Sequence, residues 1–367
     1  MKEISQRLYS LDALRGFDMF WIMGADSFFK QLASVTNIPF WNAFAVQMDH
    51  PDWNGFHFYD LIFPLFLFLA GVATPYSIGK KLANGESRRS LLFTVIKRGL
   101  ILVVLGIVYN NGLEIRSLGE IRFGSVLGRI GLAYMFANII YLYSKQTTRI
   151  IWFCLILIAY WLLLKFTSAP GYRTGDLSME GNFASYLDRS ILPGKLYRGI
   201  HDPEGLISTI PAICTGLLGI FAGTLLKEGF QKPQTKALYL VIAGVVAVVL
   251  GLVWNLDFPI NKNLWTSSFV LIAGGISLIL LAVFYYIIDV LGYKKWAFFF
   301  RVIGMNSILI YMSGSFIDWN YTTEALFKWL GQLAGYPYYT VIMAICYIFV
   351  QWVFLYYLYR NKIFLRV

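Results

Sequence analysis

Long apolar stretches separated by short polar ones run through most of this chain. Apolar runs of roughly 18–25 residues suit helices crossing a hydrocarbon core about 30 Å thick. About ten are predicted, over 13–33, 59–79, 91–110, 124–143, 150–167, 206–226, 237–256, 265–288, 298–317 and 339–359. The aromatic-rich piece 321–336 reads as an interfacial or re-entrant helix.

Composition strengthens this picture. The 367 residues are 58% hydrophobic, 18% aromatic and 14% charged, against about 45–50% apolar and about 25% charged for a soluble domain. The expected fold class is therefore an all-α polytopic membrane protein. It is read as a single transmembrane domain over 1–367, with a long extracytoplasmic loop at 167–205. The first residues, "MKEISQRLYSLDALRG", are too polar for a signal-peptide core and are read as part of the mature chain.

Charge then sets the orientation. Lys2, Arg7, Lys80, Lys81, Arg88, Arg89, Lys97, Arg98, Lys145, Arg149, Lys294, Lys295, Arg360 and Arg366 fall on one side of the predicted spans. Basic loops stay inside, so both termini are expected in the cytoplasm. The net charge of +11 reads as topology, and nucleic acid is excluded as a partner. Cys154, Cys214 and Cys346 lie in apolar runs without paired spacing and read as small core residues. The sequence contains no metal-ligand cluster, Walker motif or dinucleotide fingerprint.

Polar residues inside or beside the apolar runs carry the chemistry. At about 100° per residue, Asp12, Arg15, Asp18, Asp26 and Lys30 share one face of the first helix. Ionisable groups facing lipid are costly, so that face must meet protein or water. The inner trio Asp12, Arg15 and Asp18 reads either as structural ion pairs or as site lining, whereas Asp26 reads as functional or site-lining and is a catalytic candidate with His50 and Asp60. "DHPDWNGFHFYD" concentrates His50, Trp53, Asn54, His57 and Asp60 at the mouth of the second span. Its bland alternative is an interfacial loop with Trp53 in the aromatic belt. By spacing, His57 is the better partner for Asp60.

Arg98 opens the third span and, taken alone, reads first as an ordinary cytoplasmic anchor. Arg129, inside the fourth, needs a partner. Asp202 and Glu204 of "HDPEG" suit a helix start or a reactive pair. Lys262, Asn263 and Trp265 lie in "PINKNLWTSS", read alternatively as a snorkelling Lys and a belt Trp. Asn306 is an amide within the ninth span.

"SLDALRGFDMF", "DHPDWNGFHFYDLIFPLFLFLAG", "RFGSVLGRIGLAY", "DPEGLISTI", "INKNLWTSSFVL" and "GMNSILIYMSG" occur in this order. Together they resemble the heparan-α-glucosaminide N-acetyltransferase family, membrane enzymes that acetylate terminal glucosamine. The resemblance implies a transmembrane acyltransferase fold in a bacterial inner membrane, acetyl-CoA as donor, an amino sugar as acceptor and a homodimer. It assigns the catalytic His of H-x-x-W-N-G to His50 and the acid ten positions on to Asp60. Asp26 aligns with an Asn late in helix one, and Asp202, Glu204 and Arg98 match family positions.

With that donor, Arg15, Arg98, Lys97 and Arg129 are the expected cofactor contacts. Trp53, Asn54, Asp202, Glu204, Lys262, Asn263 and Asn306 are the expected substrate contacts. The interval from Asp26 to His50 is longer than in the family, and its large N-terminal domain has no counterpart, so the acceptor is where this chain departs. A sugar permease and an O-acyltransferase of an envelope glycan are the alternatives.

Overall fold

The computed structural model describes residues 8–114, 116–229 and 231–365; Lys2, Arg7 and Arg366 of the orientation argument lie outside them. The described residues form helices α1 (Tyr9–Phe20), α2 (Asp26–Thr36), α3 (Pro39–Gln47), α4 (Ile62–Ala83), α5 (Arg88–Asn111), α6 (Val126–Tyr143), α7 (Gln146–Phe166), α8 (Phe183–Ile191), α9 (Thr209–Lys227), α10 (Pro233–Trp254), α11 (Ser267–Tyr285), α12 (Phe298–Gly304), α13 (Ser307–Ser313), α14 (Trp319–Ala334) and α15 (Tyr339–Arg360). Among these residues no β-strand forms; Arg122 and Gly194 make an isolated antiparallel bridge.

Eight helices among the described residues are long and apolar enough to cross a membrane, those built on α4–α7, α9–α11 and α15. The chain is thus an all-helical, multi-pass membrane protein. The two remaining expected spans are broken. In the first, Trp21–Ala25 separates α1 from α2, and Gly24 takes φ +113°, a conformation that glycine adopts without strain. Gln351 Nε2 donates to the Met23 carbonyl at 3.0 Å and satisfies an acceptor at the break. The continuous polar face expected from Asp12 to Lys30 is therefore corrected: Asp26 and Lys30 belong to a second helix. In the ninth, Asn306 stands between α12 and α13.

Two compact units divide the chain. Among the described residues, unit 1 comprises those up to Pro51, His57–Ile62 and those from Val283 onward; unit 2 holds Asp52–Phe56 and Phe63–Ala282. In unit 1, α1 lies backbone to backbone on α12. A Cβ on Gly16 would stand 1.7 Å from the Phe300 carbonyl oxygen, and one on Gly304 would stand 1.9 Å from that of Asp12. Small residues allow this approach, the usual device where lipid supplies no hydrophobic drive between helices. Trp21, Ala25, Met48 and Ile62 form a core, with Phe29, Phe44 and Phe58 packed against it. The segment 321–336 lies mostly on α14, whose Tyr321, Trp329 and Leu333 are exposed.

In unit 2, α4 and α9 approach through Gly71, Gly219 and Gly223, each facing backbone of the other helix. A second core gathers Tyr160, Leu164, Phe258 and Leu264 with Ala184 of the long loop. Cys214 is buried as expected, but Cys154 is exposed and so is not a core residue.

Candidate functional site

The loop entering α4 begins with Pro51 and turns at Asn54-Gly55, where Gly55 has φ +128°. Its end is a reciprocal cap. The His57 backbone N–H donates to Asp60 Oδ2 at 2.9 Å, and the Asp60 N–H donates to the His57 carbonyl at 3.0 Å. This buries Asp60 completely and aims its other oxygen back along the loop. His50 Nδ1 lies 2.6 Å from that Oδ1. With Asp60 ionised and the imidazole neutral, the proton sits on Nδ1 against the acceptor-only carboxylate, and Nε2 carries the lone pair.

The His57 ring goes elsewhere: its Nδ1 lies 2.9 Å from the Asp49 carbonyl oxygen. Spacing favoured His57 as the ring partner of Asp60, but His57 meets it through its backbone. The His50 side chain is half-exposed (48%) beside Tyr59, with ring centroids 5.3 Å apart.

Also in unit 1, Lys30 Nζ stands 3.8 Å from Asp26 and 2.6 Å from Asp49. Asp26 lines a cavity with Gln31, Tyr59, Asn320, Glu324 and Tyr347 among its walls. Asn320 and Glu324 carried no signal in sequence, because their segment reads only as an aromatic-rich helix. Arg15 lies 3.7 Å from Asp12. Asp18 is fully buried, and both its carboxylate oxygens lack a hydrogen-bond partner among the described residues. Asn306 is occupied structurally: its Nδ2 donates to the Ile363 carbonyl at 2.9 Å and its Oδ1 accepts from the Leu365 N–H at 3.0 Å. Those two bonds latch the C-terminal segment.

Unit 2 gathers the other predicted residues. Trp53 Nε1 donates to the Leu177 carbonyl at 2.8 Å, and its ring meets that of His201 edge-on at 5.1 Å. This contact replaces the belt reading. Asn54 Oδ1 accepts from Asn261 Nδ2 at 3.1 Å, and the Gly55 N–H donates to the Ile260 carbonyl at 2.8 Å. Asn261, missed in sequence beside Asn263, thus holds the turn. Asn263 itself is half-buried.

Arg122 forks onto Asp202 at 2.8 and 2.9 Å and reaches Glu204 at 2.5 Å. Asp202 and Glu204 precede the start of α9 by several residues, so the helix-start reading is set aside in favour of this ion cluster. Burial works to raise the Asp202 pKa, but the hydrogen bonds and charge of Arg122 outweigh it and hold the pKa below the usual range. Burial keeps that of Glu204 above its usual value, against the pull of Arg129, Arg122 and Lys262.

Arg129, buried, donates to Ser208 Oγ and to the Gly205 carbonyl, and its guanidinium lies 4.9 Å over the Trp265 ring. Trp265 is fully buried, which excludes the belt role expected for it. Arg98 donates to the Tyr134 hydroxyl at 3.4 Å and lies over its ring, with Lys97 exposed beside it.

Sequence reading left the third histidine unassigned. His201 Nδ1 lies 2.7 Å from Ser185 Oγ, which accepts from Asn182 Nδ2 at 2.8 Å. Burial lowers its pKa to about 4. Nearby Asp188 accepts from the Leu206 N–H at 2.9 Å, and burial raises its pKa to about 6.

Helices and site define a multi-pass membrane protein carrying a histidine–carboxylate pair at the mouth of a span. Residues 7–118 match a domain of unknown function, DUF5009. The chain is 30% identical over 325 residues to heparan-alpha-glucosaminide N-acetyltransferase of Mus musculus, covering 73% of this chain and 49% of that protein. To the Homo sapiens protein of the same name it is 30% identical over 319 residues, covering 72% and 48%. By sequence, then, the chain is similar to the heparan-alpha-glucosaminide N-acetyltransferases, and it spans about half the length of the curated relatives it matches.

Proposed function

We propose that this protein is a membrane-embedded N-acetyltransferase that moves acetyl from cytoplasmic acetyl-CoA to the amine of an amino sugar on the opposite face. The observation that carries the reading is His50 Nδ1 at 2.6 Å from the buried carboxylate of Asp60. That contact fixes a tautomer with a basic Nε2, the arrangement a general base needs. Nε2 takes a proton from the acceptor's ammonium, and the neutral amine attacks the thioester carbonyl. The carbon–sulfur bond then breaks, and a proton leaves with the thiol. An amine and a thioester are already a good nucleophile and a good electrophile, so His50 acts as a base rather than as an acetylated intermediate.

For the donor's phosphates, the reading takes Arg98 and Lys97 at the start of α5 and, separately, Arg15. Arg98 fits: its Nε is buried without a hydrogen-bond partner among the described residues, and a phosphate would supply one. The Arg129 guanidinium is committed to the Ser208–Gly205 turn, so its part is to shape that turn.

Purified protein in nanodiscs should release free CoA from acetyl-CoA only when an amino sugar is present. Absence of turnover across a panel of amino sugars overturns the reading. Vesicle counterflow of unmodified sugar, indifferent to acetyl-CoA, would mark a permease instead.

A further inference from the structure

A cavity of about 500 Å³ opens in unit 1 among α2, α14 and α15, within the roughly 300–1,000 Å³ range of small-molecule sites. Its walls bear two carboxylates, Asp26 from α2 and Glu324 from α14. Among the described residues that line it, none is Lys, Arg or His. Lys30 stands just behind Asp26, but it is nearer to Asp49, at 2.6 Å against 3.8 Å. One ammonium is thus shared by two carboxylates, and Glu324 adds a third negative charge. The field in the cavity favours a cation and disfavours an anion such as a phosphate.

The rest of the lining narrows the chemistry. Gln31 and Asn320 supply amide donors and acceptors, and Tyr59 and Tyr347 supply ring faces and hydroxyls. Amides and hydroxyls pair with hydroxyl groups, and ring faces attract ammonium groups. No group of three His, Cys, Asp or Glu suited to a metal ion occurs among the described residues. Tyr59 also bears on His50, with ring centroids 5.3 Å apart.

We propose that this cavity binds a hydroxyl-rich organic ammonium, an amino sugar or aminopolyol in its protonated form, and that Glu324 is the residue that selects the charged amine. Calling this ligand the acetyl acceptor rests on the acetyltransferase reading; the cavity's preference for such an ammonium stands without it. The geometry gives the two carboxylates different duties. Asp26, which shares Lys30 with Asp49, holds the wall, whereas Glu324 is exposed, makes no ion pair among the described residues and meets the incoming charge.

The test is direct binding of D-glucosamine, N-acetylglucosamine and glucose to the purified full chain without acetyl-CoA, by saturation-transfer NMR and calorimetry. Glucosamine should bind in preference to the two neutral sugars, and more weakly as ionic strength rises. Glu324→Gln should weaken glucosamine about tenfold and erase the preference, since an ionised partner strengthens a hydrogen bond. Glu324→Lys should abolish binding. Both changes are at an exposed position, and an unaltered melting temperature separates loss of binding from loss of fold.

Equal affinity for glucosamine in the wild type and both variants, or no amine binding by the wild type, overturns the proposal. If the wild type turns over glucosamine and Glu324→Gln leaves KM and kcat unchanged, the cavity assignment fails and the acetyltransferase reading survives. If glucosamine binding depends on Glu324 but acetyl-CoA is never consumed, the reverse holds.

Discussion

His50 Nδ1 lies 2.6 Å from Asp60 Oδ1 across ten residues of chain, while His57, only three residues from Asp60, reaches that carboxylate through its backbone N–H. The two carboxylate oxygens thereby divide their work. One closes the turn that starts α4 and the other holds the imidazole.

That division predicts three graded outcomes. His50→Ala should abolish acetyl transfer while acetyl-CoA binding is retained. Asp60→Asn should lower kcat by about 10²–10⁴-fold, the usual range for a mispositioned general base. His57→Ala should be mild, because its ring Nδ1 meets the Asp49 carbonyl and not the Asp60 carboxylate. Steady-state CoA release reads all three, and a dead His57→Ala with an active His50→Ala reverses the assignment.

For the donor, Arg98→Ala should weaken acetyl-CoA binding about ten- to a hundredfold, the range for one lost charge-assisted hydrogen bond. Arg15→Ala, tested alone, should do the same. Isothermal titration of the purified variants measures this. Unchanged affinity in both would move the phosphates to other cations.

Arg122→Ala should destabilise the fold strongly. It removes the forked partner of Asp202 and leaves that buried carboxylate and Glu204 without it. Breaking a buried pair from one side costs about 3–5 kcal/mol. Arg122→Lys should recover only part, because an ammonium cannot reproduce the two-pronged contact. Thermal melts in detergent would show both, and a melt indistinguishable from the wild type for Arg122→Ala would refute the role of the cluster.

Asp188 and His201 should respond to pH with opposite signs. The Asp188 pKa rises from 3.8 to about 6 in the folded state, so its contribution to stability is full below 3.8 and is lost as pH rises through about 6. The His201 pKa falls from 6.5 to about 4, so its contribution is full above 6.5 and is lost as pH falls toward 4. In the wild type the two offset each other between about pH 4 and 6. Relative to the wild type, Asp188→Asn should melt at progressively lower temperature as pH falls through this window, and His201→Gln at progressively higher. Parallel melting curves for all three proteins would remove both groups from the pH dependence.

The α1–α12 contact should tolerate no side chain. Gly16→Ala places a Cβ 1.7 Å from the Phe300 carbonyl oxygen, so the helices must separate. The expected cost is about 1–3 kcal/mol, read as a lower melting temperature. An unchanged melt would mean that α1 and α12 are not held at this distance.

Much of the architecture was legible because its cause is local. Hydropathy over some twenty consecutive residues decides whether a segment suits a bilayer, so the eight long spans, including α4 with its Pro75 and α9 with its glycines, could be read directly. His50, Asp60, Asp202 and Glu204 stood out in sequence as groups that need partners, since ionisable side chains beside apolar runs are costly to leave unpaired.

The tertiary structure decided what depends on partners far along the chain. The first span breaks at Gly24 because Gln351, from α15, satisfies the Met23 carbonyl at the break. The ninth breaks at Asn306, whose amide is satisfied by the backbone of Ile363 and Leu365. Asp202 and Glu204 looked as much like helix caps as reactive acids until folding brought Arg122 onto them. Glu324 gave no sign at all, for its meaning comes from lining the same cavity as Asp26. Hydrophobicity acts residue by residue and is written along the sequence, whereas hydrogen bonds and charge pairs act over a few ångströms and exist only once the chain has closed its loops.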